Sequence, residues 1–318
     1  MSLTQLLTEK NIQFEENVPL SKHTWIKAGG ICSCWVTPFS VEQLIEVCRF
    51  LYSNNITFDI VGQTSNIFFH STYNPKVVIS TVKVNKYEIK DGIITSDCGC
   101  SVIKLAKEML IEGYAGFYGL VGLPGTVASA AINNAGCFDC SISSMLISAD
   151  VLMPNGTITT FVKHDFGYEK RSSKFKRGEV KGVVLSVKLK LQKAENIEEE
   201  YRKSEETIKY RRENQEQSGK TLGSVFARKR MRLNLRNVLV KIVMRIFLVL
   251  TGHSFPYIRK KMILFLYGYK DLNNYISDRQ INTFIWKDYL AEKKFVRYKE
   301  MMNKVYKNLT IEIEEKMI

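Results

Sequence analysis

Apolar and polar positions alternate, or recur at helical spacing, through most of the first 191 residues. After Ser40 the apolar side chains form one face of a helix, and Gln43 completes a capping box at its start. A second amphipathic helix begins after Ser101 and ends at Gly113. Period-two runs and turn dipeptides predict strands at 31–37, 57–61, 76–81, 87–90, 93–96, 148–153, 157–162 and 182–191. This mixture of hairpins and helices indicates an α+β fold.

The pattern changes near residue 195, where a strongly charged helical segment covers 194–214. We therefore predict a first domain at 1–195, with lobes of about 1–82 and 83–195, and a second domain at 196–318. Within the second domain the pattern predicts a helix over 289–307 and a short final strand over 309–313.

A basic and apolar stretch interrupts the second domain. Residues 217–270 contain no Asp or Glu, whereas ten Lys and Arg lie between 228 and 261. The most apolar run, 237–250, is too short to span a bilayer and contains Lys241 and Arg245. It fits a helix that lies on an anionic membrane surface, or a core helix whose cations extend to solvent. We favour the core helix.

The overall charge points to anionic partners. The chain has 318 residues and a formal net charge of +14, which suits a nucleotide, a phosphosugar, nucleic acid or a membrane surface. A lysine-rich solvated surface would give the same charge. The seven cysteines lack zinc-finger spacing and the N-terminus lacks a signal-peptide pattern, so we expect reduced thiols, no metal site and a cytoplasmic protein.

A glycine-rich segment, 116–136, is the strongest candidate for a ligand site. Gly119, Gly122 and Gly125 lie three apart, so backbone can approach a ligand closely. Pro124 stiffens the turn, and Thr126 can cap a following helix of small residues, whose free N–H groups would favour a phosphate. A tight turn into a buried helix would explain the same residues.

Six stretches, in this order and spacing, resemble the UDP-N-acetylenolpyruvoylglucosamine reductase family of flavoenzymes. Residues 23–30 resemble the family's N-T-x-x-x-x-G-G, and 61–66 resemble its G-x-G-S-N with Thr64 in place of the second glycine. Residues 119–136 resemble its G-x-x-G-I-P-G-T-V-G-G-A…M-N-A-G with Ala128 and Ser129 in place of the double glycine, and 171–175 resemble its R-x-S-x-F with Lys170 in place of the preceding tyrosine. Residues 211–226 resemble its R-x-x-x-Q…G-S-V-F, and 309–313 resemble its L-x-P-E-V. The resemblance is clear over 17–226, faint over 275–314 and absent over 228–273.

This resemblance implies a two-lobed FAD-binding domain of the PCMH type, followed by a smaller α/β substrate-binding domain. It implies non-covalently bound FAD, NADPH as hydride donor and a UDP-sugar substrate whose enolpyruvyl ether is reduced for peptidoglycan precursor synthesis. The cofactor-binding residues implied are Gly62, Gln63, Thr64, Ser65, Asn66, Gly122, Pro124, Gly125, Thr126, Ala128, Ser129, Asn134 and Gly136.

The resemblance also implies three catalytic residues. Arg171 would face the developing negative charge, because its guanidinium can fork a carboxylate. Ser224 would protonate the substrate carbon, and Glu312 would orient or stabilise the enol form. Outside the motifs, such residues are most often a surface arginine, a turn serine and an exposed glutamate.

Two alternatives remain open from the sequence. The chain could be a divergent flavoprotein that acts on another sugar nucleotide for a surface polysaccharide. It could also be a flavin-binding protein whose basic C-terminal lobe, residues 228–261, docks on a membrane or a partner. We expect no nucleic-acid partner.

Overall fold

The computed structural model describes residues 1–317, apart from the side chain of Arg228, and divides the chain into two compact units. The first unit comprises 1–22, 30–64 and 74–211. The second comprises 23–29, 65–73 and the chain from 212 onward. Two short segments from the first third of the chain therefore belong to the C-terminal unit, and the helix over 197–211 belongs to the first.

The predicted strands and helices form in the predicted order, and further elements lie where none was predicted, among them Leu3–Glu9, Gln13–Pro19, Phe226–Met231 and Pro256–Tyr267. The strands are β1 Gln13–Pro19, β2 Ile31–Thr37, β3 Phe58–Val61, β4 Ile67–Phe69, β5 Val77–Ser80, β6 Tyr87–Lys90, β7 Ile93–Asp97, β8 Gly136–Cys137, β9 Cys140–Ser141, β10 Leu146–Leu152, β11 Ile158–Val162, β12 Val183–Lys190, β13 Phe226–Met231, β14 Tyr306–Ile311 and β15 Glu314–Lys316. The helices are α1 Leu3–Glu9, α2 Val41–Ser53, α3 Val102–Ile111, α4 Val127–Ile132, α5 Ile142–Met145, α6 Ile197–Asn214, α7 Leu235–Thr251, α8 Pro256–Tyr267 and α9 Ala291–Val305.

The first unit has two lobes, each built on its own sheet. In the first sheet the order is β1-β2-β5-β3, with an antiparallel β1–β2 pair and parallel pairs beyond it. In the second sheet the order is β11-β10-β12-β7-β6, and every pair is antiparallel. The predicted α+β fold, with two lobes in the first domain, is therefore confirmed.

The two amphipathic helices of this unit form as their sequences predict. Ser40 caps α2 by accepting a hydrogen bond from the Gln43 amide, and Ser101 caps α3 by accepting one from the Lys104 amide. The capping box predicted for α2 is wrong, because Gln43 Oε1 accepts from the Phe39 amide at 2.8 Å and not from the Ser40 amide. The apolar faces of both helices are buried, which includes Leu44 of α2 and Leu105 of α3. They cover the strands, because a helix with one apolar stripe must bury it against another layer.

The second unit combines helices with two small sheets. β13 pairs antiparallel with β14, and β15 pairs parallel with β4 so that Glu314 lies opposite Ile67. Aromatic rings fill its core, with the Phe295 ring centroid 5.1 Å from Phe284 and 4.9 Å from Trp286. The predicted final strand is displaced: β14 ends at 311 and the separate strand β15 follows it.

The sequence-based interpretation of α7 as a core helix is wrong. Only Asn237 and Val240 of this helix are buried, and most of its apolar side chains are exposed. α7 packs against α8, and Asn237 also bonds to the Val305 carbonyl. Among residues 1–317, no helix is both long enough and apolar enough to cross a membrane.

Candidate functional site

The turn that follows β3 lies against the glycine-rich segment of the first unit. A Cβ atom on Gly62 would lie 2.7 Å from Thr126 Oγ1, so only glycine fits at this approach. Gln63 Oε1 accepts a hydrogen bond of 3.0 Å from the Gly125 amide. Within the described part of the chain, the Gly62 and Gln63 amides donate to no protein acceptor. They can therefore bind an anion.

Thr64, at the end of this turn, has a left-handed backbone with φ of 54°. The family that this sequence resembles has glycine at this position. The left-handed conformation explains that preference, because a β-branched residue such as threonine is strained in it. Backbone strain of this kind is often retained where a loop must hold a ligand. The Thr64 side chain is buried, so the surrounding structure holds the turn in place.

The start of α4 has no free N–H groups, contrary to the sequence-based expectation. The Val127 amide donates to Cys100 O at 2.9 Å, and the Ala128 amide donates to Cys98 O at 3.2 Å. The Thr126 amide donates to Ser129 Oγ, and the Ser129 amide donates to Thr126 Oγ1. Because these four amides are occupied, they offer no donors to a phosphate, whereas the amides of the 62–63 turn do.

Arg171 lies beside Asn134 in the first unit. It occupies a two-residue turn between Glu169 and Ser172, with a left-handed φ of 59°. Its guanidinium donates to the Asn134 carbonyl at 3.5 Å, and Asn134 Nδ2 donates to Glu169 O at 2.7 Å. Asn134 Oδ1 is buried without a hydrogen-bond partner in the structure. A donor from a bound ligand would satisfy this oxygen.

Tyr168 offers a second buried polar atom near Arg171. Its ring stacks on Phe166 with centroids 5.1 Å apart, and its hydroxyl is buried without a hydrogen-bond partner in the structure. Burial raises the pKa of this hydroxyl, so Tyr168 stays neutral and can donate. Lys170, which replaces the family's tyrosine, is exposed instead.

Arg211, for which the sequence predicts no role, lies beside the glycine-rich segment of the first unit. A Cβ atom on Gly122 would lie 2.7 Å from Arg211 Cδ, and the guanidinium lies over the Phe138 ring at 5.6 Å. Desolvation lowers the pKa of Arg211, with a further lowering from the nearby charge of Arg171. Arg211 is the first residue of the R-x-x-x-Q motif, but the sequence does not show its contact with Gly122.

Gly136 also lies in the first unit. It begins the short β8–β9 hairpin, where a Cβ atom would lie 2.3 Å from Cys140 O. Pro124 and Gly125 lie directly before the α4 cap, and Gly125 has a φ of 127° that favours glycine. The first unit therefore brings the predicted residues of 62–64, 122–129, 134–136 and Arg171 into one set of neighbouring loops.

The second unit holds the remaining predicted residues. Ser224 follows Gly223, whose φ is 74°, and pairs with Thr283 in an isolated bridge. Its side chain is exposed, and within residues 1–317 its hydroxyl bonds to no protein group. The next residue is fixed, because the Val225 amide donates to Asn282 O at 2.9 Å. The backbone next to Ser224 is therefore fixed by a hydrogen bond, and the Ser224 hydroxyl can donate to a ligand.

Glu312 lies next to this serine segment. Its amide donates to Val225 O at 2.8 Å, and its carbonyl accepts from Asn66 Nδ2 at 3.2 Å. Ser65 precedes Asn66 at the start of the segment that leads into β4. Stretches near residues 66, 225 and 312 therefore meet in the second unit, and one of them carries the Gly-Ser-Val-Phe motif.

The residues of the first unit fit FAD. Free amides at Gly62 and Gln63 suit its pyrophosphate, and the unsatisfied Asn134 and Tyr168 oxygens suit its polar ring edge or a bound substrate. The structure records all seven cysteines as free, and six of them are buried. In the described residues no cluster of His, Cys, Asp or Glu could hold a metal ion.

Comparisons with known proteins agree with this geometry. The family model for an FAD binding domain matches residues 32–161. The chain is 31% identical to UDP-N-acetylenolpyruvoylglucosamine reductase of Caldicellulosiruptor saccharolyticus over 229 residues, which cover 72% of this chain and 73% of the relative. It is 35% identical over 162 residues to the protein of the same name from Carboxydothermus hydrogenoformans, over 51% of this chain and 54% of that one.

A solved structure extends the similarity to the whole fold. UDP-N-acetylenolpyruvylglucosamine reductase from Thermus caldophilus superposes with a TM-score of 0.68, covering 96% of this chain and all of that chain. The two sequences are 19% identical over this superposition, so this likeness shows the fold alone.

Proposed function

Because the chain belongs to the UDP-N-acetylenolpyruvoylglucosamine reductase family, we propose that it reduces UDP-N-acetylenolpyruvoylglucosamine to UDP-N-acetylmuramate in peptidoglycan precursor synthesis. NADPH is the hydride donor and FAD the non-covalent cofactor. One observation supports the proposal in addition to family membership. The Glu312 amide donates a hydrogen bond to the carbonyl of Val225, the residue directly after Ser224. Two residues proposed to act on the same substrate thus have neighbouring backbones, although 88 positions separate them along the chain.

The first unit holds the cofactor in this proposal. The amides of Gly62 and Gln63 bind the pyrophosphate, and the loop from Gly122 to Ser129 shapes the surface on which it lies. Reduced FAD, when bound, supplies the hydride that is added to the enolpyruvyl double bond. Arg211 supports this surface from behind, since it packs against Gly122.

Arg171 stabilises the negative charge that develops on the substrate carboxylate and enolate. A guanidinium suits this task because it stays charged and presents two parallel donors. Its hydrogen bond to the Asn134 carbonyl and its strained turn hold the side chain in one place. Preorganisation of this kind is worth more than the same charge on a mobile side chain.

Ser224 donates a proton to the substrate carbon in this proposal. A serine hydroxyl is a weak acid, but an enolate carbon held within reach is a strong base, so proximity compensates for acidity. Glu312, tied to Val225 and Asn66, orients the enol form. The reaction is then balanced by one hydride, one proton from Ser224 and reprotonation of the serine by solvent.

A second candidate is a reductase for a different sugar nucleotide, which serves a surface polysaccharide. The observation that favours it is the lack of family resemblance over 228–273, within the unit that carries Ser224 and Glu312. A docking role of residues 228–261 is compatible with either reaction. In each case we propose a cytoplasmic location, because NADPH and sugar nucleotides are made there.

An anaerobic titration tests the proposal. The purified protein should be yellow, NADPH should bleach it, and UDP-N-acetylenolpyruvoylglucosamine should restore the colour. Ser224→Ala should leave bleaching unchanged and slow the return of colour by at least about a hundredfold. Ser254→Ala, at an exposed position between α7 and α8, is the matched control. Bleaching without recolouring by this substrate would favour the second candidate, and a folded protein without flavin would reject both.

A further inference from the structure

α7 exposes a continuous apolar face. Leu235, Leu239, Ile242, Ile246 and Val249 follow the spacing i, i+4, i+7, i+11 and i+14, so they lie along one side of the helix. Their side chains are exposed by 89%, 46%, 52%, 52% and 75%. With 17 residues the helix is about 25 Å long. Soluble proteins seldom expose such a stripe without a partner.

The opposite side of α7 is fixed to the protein. Asn237 is fully buried, and its Nδ2 donates to the carbonyls of Arg232 at 2.9 Å and Val305 at 2.8 Å. Val240 is buried beside it. Asn234 caps the helix by accepting from the Asn237 amide. The helix cannot turn its apolar face inward without breaking these bonds, so the exposed stripe is its stable orientation.

Positive charge accompanies the stripe. Lys241 and Arg245 lie along one edge of it, one turn apart, and both are exposed. Their stretch, 217–270, has no acidic residue to neutralise them. Lys260 does not contribute, because it is buried and bonds to Asp278 and to the carbonyls of Asn273 and Ile276. The charge next to the apolar face is therefore unbalanced.

The apolar face of α7 and the positive charge beside it together indicate the kind of partner that binds here. A second copy of this chain would bring two acid-free basic stretches together, which is unfavourable at low salt. A nucleic acid would match the charge and leave the apolar stripe in water. An anionic lipid surface matches both features, since it accepts apolar side chains below the headgroups and attracts Lys and Arg.

We propose that α7 is an interfacial anchor that lies in the plane of an anionic membrane, with Leu235, Leu239, Ile242, Ile246 and Val249 inserted among the lipids. This inference does not rest on the proposed reaction, because none of the predicted site residues lies in α7. The binding is reversible and weak for a single helix, and it needs both the apolar face and the charge.

Vesicle flotation of the full chain tests the anchor. We expect binding to vesicles of phosphatidylcholine with phosphatidylglycerol, at least about tenfold stronger than to phosphatidylcholine alone, and a loss at high salt. The double variant Ile242→Ser/Ile246→Ser should reduce binding at least about tenfold. Ile111→Ser/Ile158→Ser removes two exposed isoleucines from the first unit and should bind as the unaltered protein does. Equal binding by both double variants would overturn the proposal.

Light scattering on the same proteins separates the membrane from a second copy. We expect the unaltered protein and both variants to have the same mass, and flavin content and NADPH oxidation to be unchanged. A dimer that Ile242→Ser/Ile246→Ser converts to a monomer would assign the face to self-association instead. Absence of binding to anionic vesicles at low salt would also overturn the anchor, whether or not the reductase reaction is found.

Discussion

The side-chain amide of Asn66 donates a hydrogen bond of 3.2 Å to the carbonyl of Glu312, 246 residues further along the chain. The Asn66 carbonyl in turn accepts from the Glu314 amide at 2.9 Å. Asn66 therefore holds the chain on both sides of Ile313, which is buried. An asparagine that the motif suggests for cofactor binding also positions a proposed catalytic glutamate.

Asn66→Ala should destabilise the protein by about 1–2 kcal/mol, because it leaves a half-buried carbonyl without its donor. Urea unfolding measures this loss. Asn85→Ala is the matched control, since Asn85 makes a similar bond of 3.2 Å to Val82 O at an exposed position. We expect the control to change the free energy of unfolding by less than about 0.5 kcal/mol. Equal losses of unfolding free energy in the two variants would show that the Asn66 bond stabilises the protein no more than an exposed bond does.

Arg211→Met should weaken FAD retention by about tenfold, because the guanidinium supports the loop at Gly122 and supplies positive charge. Arg212→Met is the control, since the Arg212 side chain is exposed and only its carbonyl is used, by Arg279. Equilibrium dialysis of the two apoproteins against FAD gives the affinities. If both variants bind FAD equally well, Arg211 has no part in the cofactor site.

Cys137 should be the one thiol that reacts in the folded protein. It is half-buried, whereas the other six cysteines are buried. Burial raises the pKa of Cys34 and Cys48 to about 12, which keeps those thiols protonated and unreactive at pH 8. Iodoacetamide at pH 8 should modify one residue per chain and none in Cys137→Ser, as mass spectrometry would show.

Bound FAD should slow this labelling, since Cys137 lies in the hairpin after Gly136 and its carbonyl lies against Gly119. The comparison is between the same protein with and without added FAD. Unchanged labelling would place the cofactor away from this hairpin. Labelling of three or more thiols would contradict the buried positions.

Lys229 should make stability rise with pH. Desolvation and, to a smaller extent, the charge of Arg259 lower the pKa of Lys229 to about 8, against about 10.4 in an unfolded chain. Between pH 8 and pH 10 the unfolded state binds more protons, so the folded state gains stability over this range. Part of Lys229 stays in contact with water, and solvent screening limits the effect to about 1 kcal/mol.

Lys229→Met isolates this contribution from the other groups that titrate in the same range. At pH 7 the variant should be more stable than the unaltered protein by about 1 kcal/mol, and the difference should disappear near pH 10. Urea unfolding at several pH values gives both curves. A difference that stays constant from pH 7 to pH 10 would show that the lysine charge is not the cause.

The sequence predicted the elements of the first unit well because their signals are local. The capping serines, the helical spacing of apolar residues and the Asn155-Gly156 turn each act within a few residues. Ser224 and Glu312 stay predictions from motif spacing, and the structure adds that the Glu312 amide bonds to Val225, next to Ser224. A local pattern suffices where the structure that it specifies is also local.

Contacts between distant segments could not be read from these patterns. Two of the amides expected to be free at the start of α4, those of Val127 and Ala128, donate to the carbonyls of Cys100 and Cys98, 27 and 30 residues earlier in the chain. The face of α7 that lies inward depends on Asn237 and its bond to Val305. Hydropathy alone favoured burial of α7, because it counts apolar residues without showing which of them find a partner.

The parallel pairing of β15 with β4 constrains how this protein can be made. Ile67 finds its partner Glu314 only after almost the whole chain has left the ribosome, so β4 stays unpaired while the intervening segments fold. Residues 212–317 produced alone would lack β4 and the segment 23–29, and would expose one edge of β15. Because each unit is made of several chain segments, one cut cannot yield either unit intact. A circular permutation that begins the chain near residue 212 would bring β15 and β4 closer together in synthesis order, so β4 would stay unpaired for a shorter time.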